Sequence, residues 1–188
     1  IHDPLRREAR DAVAALHACG IGNVVMMTGD NRQTAQAVAR EVGVDAVYAE
    51  VLPEDKAAFI RSEKAAGHTV IMVGDGVNDS PALSEADAGV AISTGAAIAR
   101  EIADITIASE DLFELVTLRR LSQALMARIH RNYRFIVGFN LSLILLGVAG
   151  LLPPTTSALL HNMSTLGISL KSMTDLGPEL PSPTPAER

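Results

Sequence analysis

Apolar positions in the first hundred residues switch repeatedly between helical spacing and short continuous runs. Leu5, Ala9, Val13, Leu16 and Cys19 fall three or four apart, which predicts a helix from Leu5 to Cys19 closed by Gly20. Asn23 to Met27 is a short apolar strand leading into Thr28-Gly29-Asp30-Asn31. Asp30 or Asn31 is placed to cap a helix over Gln33 to Val42. Asp45 to Ala49 reads as a shorter strand. Pro53-Glu54-Asp55-Lys56 then opens a helix to about Ala66, with Pro53 in its first turn. Thr69 to Val73 is a third apolar run and reads as a buried strand. Ser80 to Ala86 predicts a short helix, Ala88 to Ile92 a strand, Ala96 to Ala103 a helix and Ile105 to Ala108 a strand. Strands alternating with helices predict an α/β fold over residues 1–110, a Rossmann-like parallel sheet with flanking helices and right-handed crossovers.

The pattern changes near Asp111. Leu112, Leu115, Val116, Leu118, Leu121, Leu125 and Ile129 keep helical spacing with arginines between them, a basic amphipathic helix over 111–134. No breaker separates it from Phe135 to Leu152, a run without charge. Such a run can just cross a hydrocarbon core of roughly 30 Å. Pro153-Pro154 ends it. A second, more polar stretch over 155–173 completes an expected two-helix transmembrane hairpin. The tail, 174–188, is rich in proline and polar residues and is expected to be disordered. Arginines before the first span and Lys171 after the second place both ends on one side, so the α/β part and the tail are expected to be cytoplasmic. A buried soluble hairpin is the competing reading. So small a sheet domain could hardly bury a helix that is apolar all round.

Composition narrows the classes. Hydrophobic residues make up 48% and aromatics only 3%, so Ala, Val, Leu and Ile carry the core. The formal net charge of −6 argues against a nucleic-acid partner. Cys19 is the single cysteine, which excludes an internal disulfide and a cysteine metal cluster. Its place on a predicted helix suits a small packing residue. The chain opens without an initiator Met, as the middle of a domain would, and is expected to be a fragment of a longer protein.

The densest chemistry lies in Gly74-Asp75-Gly76-Val77-Asn78-Asp79. Two carboxylates four positions apart follow a strand, and glycines free the backbone to turn. Loops at the carboxyl ends of parallel strands line the crevice of an open α/β sheet. By itself such a string is as readily a solvated turn. Thr28 alone reads as a helix-entry residue and Lys56 alone as a surface lysine. In this order they form a set suited to phosphoryl transfer. Thr28 and Lys56 can contact phosphoryl oxygens, Asn78 adds an amide, Asp75 can hold Mg²⁺, and Asp79 can position Lys56 or the metal.

These residues resemble the haloacid-dehalogenase superfamily, with Thr28-Gly29-Asp30 similar to its second motif, Lys56 to its third and Gly74 to Asp79 to its fourth. The longer string, with Asn31, Pro53-Glu54-Asp55-Lys56 and Ser80 to Leu83, is similar to the phosphorylation domain of P-type ATPases. Asp3-Pro4-Leu5-Arg6 is similar to that family's hinge. The resemblance covers the chain to about Leu176. It implies catalytic roles for Thr28, Lys56, Asn78 and Asp79, cofactor contacts at Gly29 and Asp30, and Mg²⁺ at Asp75 and Asp79. It also implies ATP bound mainly by another domain, and an aspartyl-phosphate formed in an Asp-Lys-Thr-Gly-Thr motif. That motif is absent here, so this chain alone is expected to turn over no ATP.

Two spans after the phosphorylation domain resemble the heavy-metal-transporting branch, and His161-Asn162-Met163-Ser164-Thr165-Leu166 is similar to that branch's last helix. The expected partners are a divalent or monovalent transition-metal ion, the lipid bilayer and the rest of the same pump, and the expected location is the plasma membrane of a bacterium. Helical spacing puts Ser157, His161, Ser164 or Thr165, and Ile168 on one stripe, and Asn140 is the most polar residue of the preceding span. Asn140, His161, Ser164 and Thr165 are therefore candidates to touch the transported ion. Helix–helix hydrogen bonding is the competing use of such residues. The spans hold no Cys, Asp or Glu. His with Ser and Thr suits a borderline ion such as Zn²⁺, Co²⁺, Fe²⁺ or Mn²⁺. Phe139-Asn140 and Met163-Ser164 only partly match the pattern of copper exporters. A soluble phosphatase of the same superfamily, or a non-catalytic Mg²⁺-binding fragment, are the alternative functions.

Overall fold

The computed structural model describes residues 8–75, 78–92, 101–108 and 111–175. The chain divides into one compact unit up to Thr117 and a second from Leu118.

The first unit is parallel α/β. Helix α1 (Ala9–Ala18) buries Ala9, Ala12 and Val13, and Gly20 follows its end at φ 83°. Strand β1 (Val25–Met27) leads to α2 (Arg32–Val42), whose first turn is capped by Asn31 Oδ1 accepting from the Thr34 amide at 3.0 Å. Strand β2 (Ala46–Tyr48) pairs with β1 in parallel, Val25 opposite Ala46. Helix α3 (Pro53–Ala65) begins with proline and carries Glu54 and Asp55 in its first turn, where acids suit the helix dipole. Strand β3 (Ile71–Gly74), helix α4 (Ser80–Glu85), β4 (Ala88–Ile92) and β5 (Ile105–Ile107) follow. Those three strands form a parallel sheet in the order β3-β4-β5.

Among the described residues Ile60 of α3, Leu83 of α4, Val90 of β4 and Val116 are the largest fully buried side chains. Each contributes about 1.5–3 kcal/mol relative to exposure. Helix α4 sits close on β4, because an added Cβ at Gly89 would lie 2.6 Å from the Leu83 carbonyl oxygen.

The structure departs from the sequence-based expectation in two ways here. Among the described residues the strands form two parallel sheets, β1-β2 and β3-β4-β5, rather than one. The third run is shorter and barer than a buried strand. Val70 donates to Asp87 Oδ2 at 2.9 Å and its carbonyl accepts from Asp87 and Ala88, so regular pairing starts only at Ile71. Among the described residues β3 pairs with β4 alone. Ile71 and Val73, which share a face by strand alternation, are exposed.

The second unit holds most of α5 (Phe113–Val148) and all of α6 (Pro154–Ser172). The basic and apolar stretches form one unbroken helix, as the lack of a breaker predicts. Gly150 at φ 73° turns the chain, and Pro154 opens α6 at its first turn. This turn corrects the expected spans. Ala149 to Leu152 leave the helix, so the uncharged helical part of α5 stops at Val148. No described helix is long and apolar enough to cross a membrane. Helix α6 buries no residue. Arg128 is the buried charged residue among those described. Its guanidinium donates to the Thr174 and Asp175 carbonyls, just beyond the end of α6, at 2.6 and 2.9 Å. The expected tail lies outside the described residues beyond Asp175, as do Asp3-Pro4-Leu5-Arg6 and most of Ala96 to Ala103.

Candidate functional site

Thr28 stands directly after β1. Its amide donates to the Tyr48 carbonyl at 3.0 Å, continuing the β1–β2 pairing by one bond. Its hydroxyl donates to Asp30 Oδ2 at 3.0 Å and accepts from the Asp30 amide at 3.1 Å. The loop after β2 is clipped to this loop by two bonds, Val51 N–H to the Thr28 carbonyl at 3.1 Å and Glu50 N–H to the Asp30 carbonyl at 2.9 Å. Glu50 adopts φ 58° to do so, a left-handed conformation costly for a side chain larger than glycine. Val51 and Leu52 lead directly into α3. The Leu52 carbonyl accepts the Lys56 amide at 3.2 Å, which puts Lys56 in the first turn, near the Thr28 loop.

Lys56 Nζ donates to Asp79 Oδ1 at 2.6 Å, with 14% and 13% of the two side chains exposed. So little water reaches the pair that its charges are weakly screened. Asp79 also opens α4, its carbonyl accepting the Leu83 amide at 2.8 Å. Its carboxylate folds back over the end of β3. A Cβ at Gly74 would lie 2.6 Å from Asp79 Oδ2 and 2.9 Å from Asp79 Cβ. Asp75 follows β3 and is exposed, as is Asn78. Gly76 and Val77 lie outside the described residues.

The donor set fits Mg²⁺ as that ion is usually held, by one or two carboxylates with phosphate and water filling the octahedron. Asp75 is the exposed carboxylate there. Asp79 Oδ1 is engaged by Lys56. Among the described residues no three His, Cys, Asp or Glu side chains gather into an all-protein metal cage.

Of the four polar candidates of the second unit, Asn140 and His161 meet side chain to side chain, whereas Ser164 and Thr165 bond to the backbone of their own helix. His161 Nδ1 and Asn140 Oδ1 are 2.8 Å apart. Ser164 and Thr165 both donate to the His161 carbonyl, at 2.8 and 3.0 Å. A cavity of about 700 Å³ is lined by Asn140, Leu143, Gly147, Ser157 and His161 among others.

By sequence Gly74 reads as a turn residue, and its close approach to Asp79 is not visible there. The only signal was its place between a strand and two acids. Glu50 carried no signal, because its left-handed backbone follows from the loop it closes. By sequence Arg128 is one of several arginines on the basic helix over 111–134.

Residues 1–87 match the family described as "haloacid dehalogenase-like hydrolase". Over 168 residues, 89% of this chain, the sequence is 43% identical to a copper-exporting P-type ATPase of Staphylococcus aureus. The chain spans 21% of that relative's length. A zinc-transporting PIB-type ATPase, solved in its E2.Pi state, superposes with a TM-score of 0.84 at 31% identity, over 92% of this chain and 28% of its own. The catalytic domain of a CPx-ATPase gives 0.56 at 33% identity, over 61% and 45%.

The chain is similar to a segment of heavy-metal P-type ATPases.

This bears out the resemblance carried by Thr28-Gly29-Asp30-Asn31, Lys56 and Gly74 to Asp79. The parallel α/β fold of the first unit is that of the haloacid dehalogenase-like hydrolases.

Proposed function

We propose that this chain is part of an ATP-driven pump for a transition-metal cation, working through an aspartyl-phosphate. The observation that carries the reading is the Lys56–Asp79 ion pair, 2.6 Å long and seated at the carboxyl end of β3 over a glycine that leaves room for it. The pair holds an ammonium in a fixed place at a strand-end crevice, where phosphoryl transfer needs positive charge already in position. In this reading Lys56 meets the oxygens of the transferring group, and Asp79 positions Lys56. The Thr28 hydroxyl turns from Asp30 to donate to a second oxygen. Asn78 adds an amide donor, and Gly29 and Asp30 shape the wall on the β1 side. Asp75 would hold Mg²⁺, which when bound supplies charge neutralisation at the phosphoryl oxygens.

The membrane part of the proposal rests on the second unit. Leu145, Val148, Leu151, Leu159, Met163 and Leu170 are all at least 60% exposed, a surface suited to lipid or to further helices. A transition-metal cargo fits the relatives' own activities, copper export and zinc transport. The second unit would contribute His161 to the ion's path. A soluble phosphatase would share the first unit but leave that apolar hairpin without a use.

The test is ATP-dependent phosphoenzyme formation by the longer pump that contains this segment, reconstituted in vesicles. Lys56→Ala should lower the rate about 100- to 1,000-fold, the effect of removing one preorganised donor. The 188-residue chain holds no Asp-Lys-Thr-Gly-Thr sequence and should form no acid-stable phosphoenzyme. Undiminished phosphorylation of Lys56→Ala would overturn the assignment.

A further inference from the structure

Resting on the reading of His161 as a group on the ion's path, the structure assigns Asn140 a role distinct from that of a ligand. We propose that Asn140 is a positioning residue, which fixes the tautomer of His161 so that Nε2 presents its lone pair to a cation.

The chemistry follows from one hydrogen bond. A carboxamide oxygen can only accept. Asn140 Oδ1 faces His161 Nδ1 at 2.8 Å, an arrangement that makes a hydrogen bond when Nδ1 carries the proton. In a neutral imidazole the other nitrogen then has none, and Nε2 is the basic, metal-binding atom. Fixing a ligating imidazole through its second nitrogen orients the ring and raises its basicity, and losing that partner typically costs 10- to 100-fold in metal affinity. The neighbouring polar groups are otherwise engaged. Ser164 and Thr165 direct their protons to the His161 carbonyl, as helical hydroxyls commonly do. The ring stands on the wall of the 700 Å³ cavity that Asn140 also lines. No thiol or carboxylate occurs between Phe135 and Ser172. A site built around one neutral imidazole suits a borderline divalent cation better than a hard or a soft one.

The experiment is nitrogen NMR of the full 188-residue chain in detergent, with ¹⁵N-histidine and the His161 signals assigned by difference from His161→Gln. Zn²⁺ alone is then titrated in. The expected result is a protonated Nδ1 and an unprotonated Nε2, with Zn²⁺ shifting Nε2 and leaving Nδ1–H in place. Asn140→Leu should release the tautomer toward Nε2–H and weaken the Zn²⁺ response about 10- to 100-fold. Asn140→Asp, which keeps an acceptor at the same position, should restore Nδ1–H, and that rescue separates positioning from a loss of fold. A protonated Nε2 in the unaltered chain, or an unchanged tautomer in Asn140→Leu, overturns the proposal. If the tautomer is as assigned and Zn²⁺ moves neither nitrogen, the inference stands, and it is the placement of His161 on the ion's path that fails.

Discussion

At the end of β3, the Asp79 side chain fills the space that any residue larger than glycine would need at position 74. A methyl group there would meet Asp79 Oδ2 at 2.6 Å, its Cβ at 2.9 Å and its Cγ at 3.1 Å. The carboxylate tip could swing away, but Asp79 Cβ is fixed by the start of α4. Gly74→Ala should therefore destabilise the first unit by about 1–3 kcal/mol, as overpacking does. It should also drive Asp79 off Lys56. Gly29 sits in the other strand-end loop, and a methyl there meets nothing closer than the Val51 carbonyl at 3.9 Å. Gly29→Ala should stay within about 0.5 kcal/mol of the parent. Urea unfolding followed by circular dichroism compares the two. Equal losses would mean that Asp79 does not fold back over the strand. Sequence alone cannot rank these glycines, because each is simply a small residue beside an acid. The ranking depends on where a side chain five residues further along returns.

Among whole elements, the seam that joins α3, α4 and the start of β3 is held by charges at its edge. Asp87 accepts from the Val70 amide at 2.9 Å and lies 3.3 Å from Lys64 Nζ. The Val70 hydrogen bond, with Lys64 behind it, holds the Asp87 carboxyl below the usual carboxylate range. A carboxyl depressed in the folded state adds stability that is complete above its ordinary pKa of about 3.9. That stability is lost as pH falls below this value and through the folded one. Asp87→Asn should lower stability at neutral pH and flatten the fall in urea midpoint as pH drops below about 4. A variant as acid-sensitive as the parent would place the titration elsewhere. The order of elements was legible in the sequence down to the Pro53 start of α3 and the capping of α2, since caps and periodicity are local. The split into two sheets was not legible. It depends on which strand edges meet, and the apolar run Thr69 to Val73 looks the same with one partner or two. Likewise Thr28, Lys56 and Asp79 could be chosen from order and chemistry, whereas the Val51–Thr28 and Glu50–Asp30 clips that draw two of the loops together are backbone bonds with no sequence signature.

Across the molecule, the two units differ in what their surfaces ask of the surroundings. The first buries Ile60, Leu83 and Val90 among its own strands and helices, and exposes Ile71 and Val73 only in part. The second displays Leu145 at 61%, Val148 at 84% and Leu159 at 62% exposure. At about 25 cal/mol per Å² such a surface is costly to leave in water. The uncharged helical part of α5 is too short for a bilayer core on length alone. A short apolar helix can still be accommodated by local thinning and by flanking basic side chains that reach the interface. Arg131 and Arg134 stand directly before Phe135, where such a reach would be made. The chain expressed in cells should therefore remain with the membrane pellet through alkaline carbonate and leave it only with detergent. A charge set among the exposed leucines should weaken this, at about 2.5–3.5 kcal/mol for an arginine near the middle of a spanning helix. Leu141→Arg, in the middle of the uncharged helical part, should accordingly release a large fraction of the chain from the membrane. Ser122→Arg, on the basic part of the same helix, should release none. Carbonate release of the unaltered chain would assign the apolar hairpin to a protein partner instead of lipid. Equal release by both substitutions would mean that the helix is held by something other than its apolar face.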